Sequence, residues 1–318
     1  MGIIHVLALS PSCGGRSVVG LQPASRDMGG IAREVPVPTI MLADNLDALR
    51  GMPDSHADLI YIDPPFNTGR TQRRTRIKTR RASRGGGGDR TGFQGQRYET
   101  TVLGTQRFAD RFDDYLAFLG PRLVEAHRVL APHGSFYLHV DYREVHHCRL
   151  FLDDLFGPDH LLNEIIWAYD YGARPRTRWP AKHDNILFYV KDLSNYVFNV
   201  DEIERIPYMA PGLVGPEKAA RGKLPTDTWW HTIVSTNGTE RTGYPTQKPL
   251  GILRRIITAS SNPGDIVLDF FAGSGTTGMA AHELGRDFIL VDDNPEALEV
   301  MAKRFESVPG VRWQGFRP

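Results

Sequence analysis

Seven consecutive residues, Asp63-Pro64-Pro65-Phe66-Asn67-Thr68-Gly69, follow the apolar run Asp58-Leu59-Ile60-Tyr61-Ile62 and so stand where a buried strand ends. Neither proline has an N–H to donate and each ring fixes φ, so the ladder of that strand stops there. The stop presents a carboxylate, a rigid pair of backbone carbonyls and an aromatic ring, in that order. Such a set suits a planar base that carries an amino group. The acid and a carbonyl can accept its N–H hydrogens while the ring stacks on its face.

A second cluster stands near the other end of the chain. Asp265-Ile266-Val267-Leu268-Asp269 reads as a buried strand, Phe270-Phe271-Ala272-Gly273-Ser274-Gly275 as a tight loop, and 276–284 as a helix. Gly273-Ser274-Gly275-Thr276-Thr277-Gly278 fits the dinucleotide fingerprint, whose glycines let backbone approach a ligand at a strand-to-helix turn. The strand 288–291 follows and ends in Asp292-Asp293, near the spacing expected of a ribose-binding acid. These features serve any adenosine-containing cofactor, so an NAD-dependent Rossmann dehydrogenase is a competing reading. It leaves the Asp63 element unexplained, and its fingerprint begins close to the C-terminus.

The elements that must position these clusters alternate between strand and helix. Strands are expected at 39–42, 57–62, 135–140, 164–167 and 186–190, and helices at 112–130, 143–156, 249–260 and 294–305. Such alternation is what a doubly wound α/β sheet requires. Residues 1–36, rich in Gly, Ser and Pro without apolar periodicity, are expected to form a poorly ordered leader without chemistry. The stretch 70–97 holds Arg70, Arg73, Arg74 and Arg76 among ten cations, with four glycines at 85–88. It offers no apolar face to bury, and the expectation is a mobile basic arm that meets phosphate in nucleic acid. Between 168 and 240 the pattern dissolves into Arg, Pro, Tyr and Trp, including Arg174, Arg176, Arg178, Trp179, Trp229 and Trp230. That is the composition of a surface that contacts bases and phosphates, and equally that of a capping insertion.

At 318 residues the chain can bury a large core. Its net charge of +1 hides the uneven distribution just described. Two cysteines, Cys13 and Cys148, cannot make a disulfide framework, and no apolar run approaches the ~20 residues of a membrane span. The expectation is a cytoplasmic protein. His146-His147-Cys148 lack a second ligand pair at a useful spacing, so no metal is expected.

Taken together, Asp63-Pro64-Pro65-Phe66, Tyr244-Pro245-Thr246-Gln247-Lys248-Pro249 and Asp269-Phe270-Phe271-Ala272-Gly273-Ser274-Gly275-Thr276 resemble the catalytic, cofactor-side and S-adenosylmethionine motifs of DNA amino-methyltransferases. Their order, catalytic motif first and cofactor loop last, is similar to the β group, which includes type III modification subunits and cell-cycle-type adenine methylases. The resemblance spans 39–305. It implies a doubly wound, mostly parallel, seven-stranded Rossmann-like methyltransferase sheet. The catalytic domain would comprise 37–167 and 241–318, with a target-recognition insertion at 168–240.

What the resemblance implies residue by residue is as follows. Asp63 and the Pro64 carbonyl would take the two N–H hydrogens of an exocyclic amine, localising its lone pair toward the methyl donor, with Pro65 stiffening the turn and Phe66 stacking on a flipped-out base. Asp269, Phe271, Ala272, Gly273, Ser274, Gly275 and Thr276 would form the S-adenosylmethionine loop, Asp292 would hold the ribose hydroxyls, and Asp44 the cofactor adenine. A helix N-cap explains Asp44 equally well. Thr246 and Lys248 would seat the methionine end and brace the catalytic loop. Double-stranded DNA is the implied partner, with a homodimer and a restriction subunit as further options. Asp at the first motif position favours adenine N6 over cytosine N4. Cytosine C5 chemistry needs a cysteine after a proline, and Cys13 and Cys148 follow Ser12 and His147.

Overall fold

Alternate residues along the central strands feed two separate cores, one on each face of a sheet. The computed structural model describes residues 37–318 except 68, 69, 82–89, 92–96, 111, 113, 173 and 236, with the backbone alone over 70–110. The expected leader at 1–36 lies outside the described residues. The elements in chain order are β1 (Thr39–Leu42), α1 (Asn45–Gly51), β2 (Ala57–Ile62), β3 (Arg70–Arg81), β4 (Arg90–Thr91), β5 (Arg97–Asp110), α2 (Tyr115–Val129), β6 (Leu130–Val140), α3 (Val145–Phe156) and β7 (Leu161–Ala168). They continue as β8 (His183–Val190), α4 (Pro216–Arg221), β9 (Thr228–Trp230), α5 (Leu250–Ser260), β10 (Ile266–Asp269), α6 (Thr276–Glu283), β11 (Asp287–Asp292), α7 (Pro295–Arg304) and β12 (Arg312–Gln314).

The main sheet has nine strands in the order β12-β1-β11-β10-β2-β6-β8-β7-β9. All neighbours are parallel except β6 with β8 and β8 with β7. The seven strands from β1 to β7 in that order match the expected sheet. The two beyond it are edge strands of three residues each, too short to leave an alternating pattern in the sequence.

Leu59, Tyr61, Val267, Phe288 and Leu290 point into one core, closed by Ile252, Leu253 and Ile256 of α5 and Leu298 and Met301 of α7. Ile60, Ile62, Leu268, Ile289 and Val291 point into the other, closed by Leu49 of α1, Leu119 and Leu123 of α2, and Cys148 and Leu152 of α3. Every residue of β2 is buried, as a parallel strand covered on both faces should be. Among the described residues no helix is long and apolar enough to cross a membrane.

The strand order decides where a ligand can sit. From β10 the chain moves to β11 on one side, whereas β2, paired with β10 through Val267↔Leu59, leads to β6 on the other. The order therefore reverses between β10 and β2, and a crevice opens outside their carboxyl ends. Asp269 ends one of these strands and Asp63 follows the other.

Two expectations need correction. The basic stretch, for which no strand was expected, forms one in its backbone: β3 pairs antiparallel with β5 from Arg70↔Asp110 to Arg81↔Tyr98, and β4 joins β5. Thr71, Thr75, Ile77 and Thr79 recur at every second or fourth place in β3, and the register sets them opposite Ala109, Thr105, Val102 and Thr100 of β5. This β-branched row supplies strand propensity that a count of charges hides. The region 168–240 is likewise not one insertion, because β8 and β9 inside it belong to the main sheet. The excursions from the sheet are 169–182 and 191–227.

Candidate active site

The glycine loop is built by close packing. Gly273 and Gly275 hold φ of +51° and +71°, a conformation that favours glycine. A Cβ on Gly275 would stand 2.8 Å from Met301 Cγ and from Phe305 Cε2, so only a bare backbone lets α6 start there. A Cβ on Gly273 would stand 3.1 Å from the Tyr244 ring, which lies over the loop. Asp292 at the end of β11 accepts the Gly273 N–H at 2.7 Å and the Asn294 N–H at 3.0 Å, tying the loop to the neighbouring strand. Ser274 and Thr276 are buried, their hydroxyls 3.0 Å apart, and Arg304 of α7 donates to the Ser274 carbonyl and to Thr276 Oγ1, both at 3.0 Å. Their side chains thus shape the loop from within.

Asp269 is fully buried beneath that loop, accepting from Thr277 Oγ1 at 2.5 Å and from the Phe271 N–H at 3.0 Å. Burial pushes its carboxyl up to about 7, with the charges of Asp63 and Asp292 adding to the rise and the two hydrogen bonds opposing it. Asp292 is pushed up to about 6, again chiefly by burial. Three carboxylates are therefore gathered around one crevice.

Asp44 caps α1, its Oδ1 accepting from Leu46 N and Asp47 N, while its Oδ2 lies 3.2 Å from Arg122 Nη2. Asn45 donates to the Phe270 carbonyl at 2.9 Å, joining α1 to the cofactor-side loop.

At the other wall, Lys248 Nζ donates to Asp63 Oδ2 at 2.5 Å and stands 4.8 Å over the Phe66 ring. Asp63 Oδ1 is shielded from solvent and has no hydrogen-bond partner among the described residues. Pro64 is buried, and Pro65 and Phe66 are partly so. Thr246 is exposed at φ +59°, its hydroxyl donating to the Pro245 carbonyl at 2.6 Å, so it shapes the turn that delivers Lys248. Asn67, also left-handed at +51°, donates to Glu144 Oε1 and accepts the Phe112 N–H, both at 2.8 Å. It fastens the foot of the β3–β5 ribbon to the catalytic loop.

Sequence reasoning missed the network behind Phe66. His139 of β6 is fully buried, its Nδ1 2.7 Å from the Tyr61 hydroxyl and its Nε2 3.2 Å from Asp184 Oδ2, and Tyr169 donates to Asp184 Oδ1 at 3.0 Å. Burial alone would raise the Asp184 carboxyl, but hydrogen bonds from His139 and Tyr169 and the Lys248 charge hold it below the usual range. The ring of His139 lies 5.8 Å from that of Phe66. Asp184, Lys248, Trp167, Tyr169 and Tyr244 line a cavity of about 380 Å³. The one signal in the sequence was a histidine at an inward position of an apolar strand.

Of the expected DNA contacts, Arg174, Arg176 and Arg178 are exposed in the 169–182 excursion, and Arg174 pairs with Asp170. Arg70, Arg73, Arg74 and Arg76 belong to β3, where the backbone alone is described.

A family model described as DNA methylase, of the N6/N4 methyltransferase type, matches residues 57–304. The chain belongs to this DNA methylase family. It is 33% identical over 276 residues to the DNA adenine methyltransferase YhdJ of Escherichia coli K12, covering 84% of this methylase and 82% of that one. It is 30% identical over 268 residues to the type II methyltransferase M.HpaI of Haemophilus parainfluenzae, covering 84% and 74%. The fold matches the PvuII cytosine-N4-specific DNA methyltransferase at a TM-score of 0.56 and 15% identity, over 85% of this methylase and 87% of that chain. It also matches TTHA0409, a putative DNA modification methylase of Thermus thermophilus solved with S-adenosyl-L-methionine, at a TM-score of 0.53 and 21% identity, over 87% and 99%. The dehydrogenase alternative finds no support among these relatives.

The crevice of the methylase suits the cofactor that its family implies. S-adenosylmethionine carries a sulfonium and an ammonium charge, and the Asp63, Asp269 and Asp292 carboxylates offer a negative field around the glycine loop.

Proposed function

We propose that this chain methylates the exocyclic N6 amine of an adenine that has been flipped out of double-stranded DNA, with S-adenosylmethionine as the methyl donor. The observation that carries the reading is Asp63. Lys248 holds one carboxylate oxygen and leaves the other without a partner among the described residues, on a loop that begins where β2, the neighbour of β10, ends.

Bound S-adenosylmethionine would supply an electrophilic methyl group. The chain's own residues do the rest. An adenine amine is a poor nucleophile because its lone pair is delocalised into the ring. Asp63 Oδ1 and the Pro64 carbonyl accept its two N–H hydrogens, which draws that lone pair out of conjugation. As the N–C bond forms at the expense of the donor's S–CH3 bond, whose electron pair stays with the departing thioether sulfur, the nitrogen sheds one of these protons to Asp63 Oδ1. Lys248 fixes the carboxylate by its other oxygen, so the acceptor meets the amine without reorganising. Phe66 supplies the face on which the base stacks.

On the cofactor side, Asp292 keeps lone pairs for the ribose hydroxyls beside its bonds to Gly273 and Asn294, and Asp44, whose Oδ2 pairs with Arg122, would take the adenine edge. Phe271, Ala272 and the loop backbone form its floor. The basic ribbon and the 169–182 excursion leave the catalytic edge of the sheet and take the DNA backbone.

Adenine is favoured over cytosine by the aspartate at the first motif position and by the adenine methyltransferase named among the relatives at 33% identity. The test is incubation of the purified protein with labelled S-adenosylmethionine and unmethylated genomic DNA, followed by nucleoside analysis. N6-methyladenine is expected. N4-methylcytosine would overturn the choice of base, and no label in DNA would overturn the activity.

A further inference from the structure

The most exposed indole among the described residues lies at the sheet edge that also carries the Asp63 loop. Trp179 is 94% exposed. It sits in the 169–182 excursion, which departs from the end of β7 and returns at the start of β8. Register carries that position across the sheet: Ile62 of β2 pairs with Leu138 of β6, Val140 with Asn185 of β8, and His183 with Ala168 of β7. The excursion therefore springs from the same edge of the sheet as the Asp63 loop.

Its foot is braced. Tyr169 N donates to the Lys182 carbonyl at 2.9 Å, Lys182 Nζ reaches the Tyr171 carbonyl, and Arg174 pairs with Asp170. Tyr169 also lines a cavity with Lys248, the partner of Asp63, and bonds Asp184. The tip is otherwise: Arg176, Thr177, Arg178 and Trp179 are all exposed. Pro180 holds Trp179 to an extended backbone. An exposed indole on a cationic loop with a braced foot, springing from the sheet edge that also carries the Asp63 loop, has a surface that water alone serves poorly.

Resting on the methylation reading above, we propose that Trp179 is a positioning residue that enters the duplex and takes the stacking place vacated by the flipped base. Arg176 and Arg178 hold the flanking phosphates while it does so. An apolar ring between base steps offsets the stacking lost when a nucleotide is extruded. The need for it vanishes when the target base is unpaired from the start.

That difference supplies the test. Methyl transfer by Trp179→Ala is compared on a duplex carrying a mapped target site, once with the target base paired and once facing an abasic position. On the paired duplex the variant should lose about tenfold or more in transfer rate, and on the unpaired duplex the gap should close to about twofold. Trp179→Phe should restore most of the paired rate, cofactor affinity should be unchanged, and Trp230→Ala, which removes another exposed indole, should not show the pattern. Equal loss on both duplexes, or no loss on either, would overturn the wedge. If the unaltered protein transferred no methyl to either duplex, the methylation reading itself would be the one to fall.

Discussion

Lys248 Nζ stands 2.5 Å from Asp63 Oδ2, joining residues 185 positions apart, while the second oxygen of the same carboxylate has no partner among the described residues. The lysine arrives on the turn after Tyr244 and the aspartate on the proline stop after β2, so the pair clamps the two motifs together. Removing the cation should cost orientation more than binding. Lys248→Met is expected to slow methyl transfer by about 100-fold while cofactor affinity changes by less than about threefold, and Lys248→Arg to recover part of the rate. Single-turnover kinetics alongside equilibrium binding separates these effects. A parallel fall in both would make Lys248 a cofactor residue alone.

The raised carboxyls give an unusual dependence on pH. Asp269 has a folded value of about 7 against an ordinary 3.8, so the native state binds this proton more tightly than the unfolded chain does. Linkage then makes the unliganded protein gain stability from this group as pH falls from about 7 toward 4, and lose it as pH rises, the reverse of a salt-bridged aspartate. The neutral isostere Asp269→Asn should raise the melting temperature relative to the unaltered protein at about pH 8 and lose that advantage at about pH 5. A difference that does not change with pH would contradict the shift. Because a cation favours the ionised forms of Asp269 and of Asp292 at about 6, S-adenosylmethionine should bind more tightly as pH rises through this interval.

Gly275 is tested through stability. At φ +71°, with the added carbon 2.8 Å from Met301 and Phe305, Gly275→Ala should cost about 2 to 4 kcal/mol in urea unfolding from backbone strain and overpacking together. Gly51→Ala, where the new carbon meets nothing within 4 Å, should cost almost nothing.

The central sheet and both halves of the site were legible because each rests on a local signal. Two prolines after a buried run mark the end of β2, and glycines between β10 and α6 mark a backbone in the left-handed region. What stayed hidden depends on partners far apart in the chain. The His139, Tyr61 and Asp184 network joins β6, β2 and β8, and nothing near His139 in sequence distinguishes it from an ordinary core histidine. Trp229 and Trp230 read alike in composition, yet the pleat of β9 buries the first to 8% and leaves the second 77% exposed. The basic stretch misled for another reason: its charge outweighed the β-branched row that its pairing with β5 uses.

The ribbon should act through charge. Register places Arg70, Arg74, Arg76, Lys78 and Arg80 at alternating positions of β3, apart from the β-branched row. Replacing 70–110 by a short Gly-Ser connection should weaken DNA binding and flatten the slope of log affinity against log salt by about 0.9 for each phosphate that is no longer neutralised, leaving cofactor affinity unchanged. An unaltered slope would mean that the ribbon does not touch the DNA backbone.

Asp63 Oδ1, without a hydrogen-bond partner among the described residues, is the acceptor proposed for the target amine. Asp63→Ala should be measured twice on one preparation, for methyl transfer to duplex DNA in a single turnover and for the dissociation constant of S-adenosylmethionine. Transfer lost by about 1,000-fold or more, with cofactor affinity within about threefold of the unaltered protein, is the predicted result. Transfer that survives, or transfer and cofactor binding lost together, would contradict the assignment of this carboxylate to the target amine.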